Sequence, residues 1–131
     1  MKAIHEMGVA EIGRAMHAKA FSSVEATIHL LARLAAHEQL GAALVVDREL
    51  ALESAKAADA RRANGDVGTL LGVPLGHKDV LVTRDLPTTA GSKMIEHYRS
   101  PFDATVVERL GSGGRGRGPG AGMVKIGRAH V

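Results

Sequence analysis

Gly72-Val73-Pro74-Leu75-Gly76-His77-Lys78-Asp79-Val80 is the stretch on which the fold and the function both turn. It lies in an apolar segment, Leu70 to Val82, that reads as strand material interrupted by Gly72, Pro74 and Gly76. Lys78 stands between two glycine-thinned apolar runs. An ammonium drawn into a low-dielectric site gives up its proton readily, and the neutral amine is a base. The plainer reading is a solvated lysine at a strand end, neutralised by Asp79, with His77 a structural or surface histidine. The residues of this stretch leave both open.

Upstream, Val9, Ile12, Ala15 and Met16 fall at helical spacing within residues 6–20 and predict a short amphipathic helix. Ser22, with Glu25 three residues on, is a capping-box pattern that opens a second helix. Val24, Ile28, Leu31 and Leu34 form its stripe, which runs to about His37. Leu30, Leu31 and Leu34 read as core rather than as a docking stripe. Gly41 breaks that helix, and Ala42 to Val46 reads as a short strand. Asp47 caps a third helix that runs to about Ala63, with Asn64-Gly65 as its left-handed stop. Its many alanines suit close packing. The stretch 87–92, Pro-Thr-Thr-Ala-Gly-Ser, reads as a loop, and Val106, Val107 and Leu110 predict a last helix from Asp103. Helices alternating with short strands make an α/β order, with no internal repeat.

The chain has 131 residues, 45% of them hydrophobic, with no cysteine and no tryptophan. That excludes a disulfide scaffold, a cysteine zinc site and a thiol nucleophile. The formal charge of +3 is unevenly placed. Met1 to Arg109 carries 13 basic and 14 acidic residues, whereas Leu110 to Val131 holds Arg115, Arg117, Lys125 and Arg128 with no acid and 8 of the 16 glycines. The basic character thus belongs to the tail. An arginine–glycine tail is one route to a small RNA-binding protein. His5, His17, His29 and His37 contain no i, i+4 pair, so they read as solvated helix faces and no metal site is expected. Gly111 to Gly118 follows no apolar strand and lacks a Lys-Ser/Thr end, which argues against a phosphate loop. No apolar run is long enough to span a membrane, and the N-terminus lacks a signal-peptide pattern, so a cytoplasmic protein with no membrane partner is expected.

Three motifs in order carry a resemblance. Gly72 to Asp79 is followed by Thr83-Arg84-Asp85-Leu86-Pro87-Thr88-Thr89-Ala90-Gly91-Ser92-Lys93-Met94, and that by Ser100-Pro101-Phe102-Asp103-Ala104-Thr105-Val106-Val107-Glu108-Arg109-Leu110. With Phe21-Ser22-Ser23-Val24-Glu25 and Ala57-Ala58-Asp59-Ala60-Arg61-Arg62, they make residues 1–110 resemble the amidase signature family. Within it the likeness is to the branch that feeds ammonia to a tRNA-dependent amidotransferase. The resemblance implies the N-terminal part of an α/β domain, a mixed sheet surrounded by helices, here truncated. It implies that Lys78 is the base of a Ser–Ser–Lys triad, with Asp79 and the 88–92 loop as support near the site. Both serines would lie in a downstream glycine- and serine-rich segment that this chain does not contain. Ser112 does not match either serine.

The implied substrate is glutamine, the implied partners are the B and C subunits and, through the complex, Glu-tRNA(Gln). ATP is used by the full complex, with no cofactor in this chain. A stand-alone amidase acting on another carboxamide is the alternative. After Leu110 the family would enter a strand reading roughly Gly-Ala-Val-Val-Val-Gly-Lys. Residues 111–131 depart from that pattern. One base away, GC-rich codons for Gly-Arg-Gly-Arg-Gly encode Ala-Val-Val-Val-Gly. The expectation is therefore that 111–131 is a non-native basic tail, produced by a frame shift and, from Ile126 to Val131, by a sequencing-library adapter.

Overall fold

A computed structural model describes residues 2–111 together with the backbone of Met123–Ile126. The order is a 3-10 turn (Ile4–Glu6), α1 (Val9–His17), α2 (Ser23–Ala36), a second 3-10 turn (Glu38–Leu40), β1 (Ala43–Val45), α3 (Arg48–Ala63), β2 (Leu75–Lys78), a third 3-10 turn (Lys93–Ile95), α4 (Thr105–Gly111) and β3 (Met123–Ile126). This is the α/β alternation expected from the sequence.

The helix ends follow from local chemistry. The Ser22 hydroxyl accepts the Glu25 N–H at 3.1 Å, and the Glu25 carboxylate accepts the Ser22 N–H at 2.7 Å, so both arms of the capping box are closed. Asp47 accepts the Leu50 N–H at 2.9 Å and starts α3. Beyond Asn64, Gly65 takes a φ of +91°, as the left-handed stop requires. The last helix starts at Thr105 rather than Asp103 because the Asp103 carboxylate accepts the Arg84 N–H at 2.8 Å instead.

α2 and α3 pack on each other through small side chains. The buried residues of α2 are Ser23, Ala26, Thr27 and Leu31, and those of α3 are Ala51, Ser54, Ala55 and Ala58. The stripe read from the sequence is thus rotated. Val24 is half-buried, and Ile28 is exposed, because the face that meets α3 is the one with the smallest residues. Of the three leucines expected in the core, only Leu31 is buried. Leu30 and Leu34 are half-buried and line an open groove of about 680 Å³ with Ala43, Ala51 and Leu75. A second apolar cluster joins Ile12 and Met16 of α1 to Phe21, Ala26 and Val73.

The sheet order is β1-β3-β2. β3 runs antiparallel to β1 and parallel to β2, with Leu75 opposite Met123 and Lys78 opposite Ile126, so the sheet is mixed. Its centre strand lies within residues 111–131, the segment expected to be a non-native tail. The rest of that segment, from Ser112 to Gly122 and from Gly127 on, lies outside the described residues, Ser112 and the arginine–glycine run included. Of the predicted strand material from Leu70 to Val82, only Leu75–Lys78 pairs. Gly72, at a φ of +75°, turns the chain before it.

Gly72 lies against the start of α2. A Cβ there would sit 2.7 Å from Ser23 Oγ, 2.8 Å from Ser23 Cβ and 3.1 Å from Ala58 Cβ. Gly72→Ala therefore combines overlap with an unfavourable φ and should cost about 3 kcal/mol. Gly65→Ala, where no atom lies within 4 Å of the added Cβ, should cost about 1 kcal/mol. Urea unfolding of the two variants checks the difference, and equal losses would contradict the close approach.

The Ser22 N–H and hydroxyl hold the Glu25 carboxyl below its ordinary value near 4.5. The Gly8 N–H, followed by Lys2, does the same for Glu11. The Gly68 N–H, followed by Arg61, lowers Asp66. Each acid binds a proton more readily unfolded than folded, so their stabilisation is present above the ordinary carboxylate range and declines as pH falls through it. Glu25→Gln should flatten that decline in unfolding midpoints taken on either side of the range.

Candidate active site

Lys78 ends β2, and the alternation of the strand sets its surroundings. His77 is buried, whereas Gly76 and Lys78 are exposed. Among the described residues the Lys78 side chain is thus exposed. Asp79 does not neutralise it. The turn after the strand carries Asp79 inward, to 2% exposure, where its carboxylate accepts the Thr89 N–H at 3.1 Å and the Thr89 hydroxyl. The Asp79 carbonyl accepts the Ala90 N–H at 3.3 Å.

These bonds bring the 88–92 loop against the end of β2. Within the loop, the Thr89 hydroxyl accepts the Gly91 N–H at 3.1 Å, and the Thr89 carbonyl accepts the Ser92 N–H at 2.8 Å. Ala90 and Gly91 both take positive φ, +48° and +74°. For glycine this is free, but alanine in the left-handed region is strained and needs its surroundings to hold it. The Thr88 N–H donates to the Tyr98 carbonyl at 2.9 Å, so the loop is fixed at its other end as well.

The third motif is tied to the second. The Arg84 N–H donates to the Asp103 carboxylate at 2.8 Å, and beside that bond the Ala104 N–H donates to the carbonyl of Val82, the residue before the second motif, at 2.9 Å. Thr83, fully buried, closes its own turn by donating to the Leu86 carbonyl at 3.1 Å. The three motifs that are separate in sequence thus form one hydrogen-bonded unit around the Lys78 end of β2. The apolar groove on α2 and α3 is a different place, and neither Lys78 nor Asp79 lines it.

Of the histidines, His5 and His29 come together, Nδ1 to Nε2 at 2.9 Å with ring centroids 5.1 Å apart. Their separation of 24 residues gave no sign of this. Among the described residues no group of three His, Asp or Glu side chains is placed to hold a metal ion. No helix among them is long and apolar enough to cross a membrane.

The Lys-Asp pair at a strand end and the Thr-Thr-Ala-Gly-Ser loop bonded to that aspartate thus sit together in an α/β fold with a mixed sheet. The sequence pattern of the Amidase family matches residues 25–116, and this chain belongs to that family. It is 49% identical over 129 residues to the A subunit of the glutamyl-tRNA(Gln) amidotransferase of Pseudomonas fluorescens, covering 98% of this chain and 25% of that protein. The corresponding Burkholderia pseudomallei protein is 48% identical over 128 residues, with 98% and 24% covered. Among solved structures, the peptide amidase of Stenotrophomonas maltophilia superimposes with a TM-score of 0.78 at 31% identity, covering 94% of this chain and 24% of that one. The chain therefore spans about a quarter of the length of the relatives it matches.

Proposed function

We propose that this chain is the lysine-bearing part of a glutamine-hydrolysing amidase subunit that supplies ammonia for the conversion of Glu-tRNA(Gln) to Gln-tRNA(Gln). The observation that carries the reading is the 49% identity, over 98% of the chain, to the A subunit of a glutamyl-tRNA(Gln) amidotransferase.

In this reading Lys78, as the neutral amine, takes the proton of a bridging serine as that serine takes the proton of the nucleophilic one. The nucleophile's oxygen adds to the side-chain carboxamide of glutamine. The proton returns to the leaving nitrogen, ammonia departs, and water hydrolyses the glutamyl ester. Both serines belong to sequence beyond the part matched here. Burial by that remaining sequence is what would favour the neutral amine of a lysine that is exposed in this chain. With help from the C subunit, the B subunit would use ATP and the released ammonia on Glu-tRNA(Gln), in the cytoplasm.

A second reading is a stand-alone amidase acting on another carboxamide, supported by the 31% identity to the peptide amidase structure. One experiment separates the two. Residues 1–110 replace their counterpart in the Pseudomonas fluorescens protein, which is assembled with its B and C subunits. The chimera should release ammonia from glutamine, and Lys78→Ala should lower kcat by about 10³-fold or more. A chimera that hydrolyses peptide amides and leaves glutamine intact favours the second reading. The 131-residue chain by itself should release no ammonia from glutamine, and measured hydrolysis by it would contradict the assignment of both serines to missing sequence.

A further inference from the structure

Asp79 is a nearly inaccessible acid placed immediately after an exposed lysine. Burying a carboxylate is costly unless hydrogen bonds compensate it. Here the compensation comes from one residue, Thr89, through both its N–H and its hydroxyl. The Asp79 carbonyl adds a third bond, to the Ala90 N–H. All three contacts run between the residue that follows Lys78 and the loop that holds its one alanine at positive φ. An apolar residue at position 79 would fill the space at less cost, but it would leave the left-handed turn at Ala90 with fewer restraints. The loop N–H groups of Thr89, Ala90, Gly91 and Ser92 are all used within this corner, so the loop is a fixed wall and not an anion-binding nest.

We propose that Asp79 and Thr89 are positioning residues, which lock the 88–92 loop to the end of β2 and so hold in place the backbone from which Lys78 projects. The inference rests on Lys78 being the base. Small displacements of a catalytic group lower the chemical step steeply without a matching loss of binding, because the reacting atoms must be held in near-attack geometry. Loss of the Asp79–Thr89 bond should therefore appear in kcat.

The test uses the chimera described above, with kcat and KM for glutamine measured per folded molecule. Thr89→Val removes the hydroxyl and keeps the shape, Thr89→Ser restores it, and Asp79→Asn removes the carboxylate's second acceptor. Thr89→Val and Asp79→Asn should lower kcat about tenfold or more with KM changed less than threefold, and Thr89→Ser should stay within about threefold of the parent. A purely structural role would reduce the folded fraction and leave kcat per folded molecule unchanged. If the parent chimera is active, Lys78→Ala is dead, and both Thr89→Val and Asp79→Asn keep the parent kcat, the positioning role is overturned and the lysine assignment stands. A parent chimera that is folded and inactive towards glutamine and peptide amides alike overturns both.

Discussion

The fold hangs on the close approach of three chain segments at the start of α2. The Asp59 carboxylate, from the later half of α3, accepts the Ser23 N–H at 2.8 Å and the Val24 N–H at 3.1 Å, satisfying donors that the first turn of a helix cannot pair by itself. Arg62, one turn further along α3, binds Asp59 at 3.1 Å and donates to the Leu71 carbonyl. The Ser23 hydroxyl donates to the Gly72 carbonyl at 2.5 Å. One acid therefore fixes the axis of α2 against α3, and its arginine and serine neighbours fix the chain that enters β2.

That node explains why small residues dominate the packing. α2 and α3 approach through Ala26, Ala55 and Ala58, each fully buried, and Gly72 fits against Ser23 and Ala58 only without a side chain. Larger residues would push α3 away from α2 and break the Asp59 bonds. From Gly72 the chain passes through Val73, which belongs to the α1 cluster, into β2 and so to Lys78. The position of the lysine follows from an acid on α3 some twenty residues earlier in the chain.

Much of this was legible. Ser22-Ser23-Val24-Glu25 and Asp47 state their caps in the sequence because capping is local, involving a side chain and backbone within three residues. The alanines of α3 state a close-packed face. The stripe of α2 is not legible in the same way, because helical periodicity finds every apolar position but cannot say which side a partner occupies. Ile28 fits the pattern and lies outside the contact. Met123–Ile126 could not be recognised as the centre of the sheet, since a four-residue strand acquires meaning only from the two strands that flank it. The His5–His29 bond was likewise invisible, because it joins two elements whose relative placement no spacing rule supplies.

The sequence by itself determined the order of the four helices and of β1 and β2, the caps, the loop at 87–92 and, through three ordered motifs, the amidase resemblance with Lys78 as the residue of interest. All of these depend on neighbours along the chain. The tertiary structure decided which way the side chains of the Lys-Asp pair face. It turned Asp79 inward to Thr89 and left Lys78 outward, where the sequence allowed a mutual ion pair. Adjacent residues at a strand end face opposite sides, so two charges next to each other in sequence answer to different surroundings, and only the folded chain supplies those.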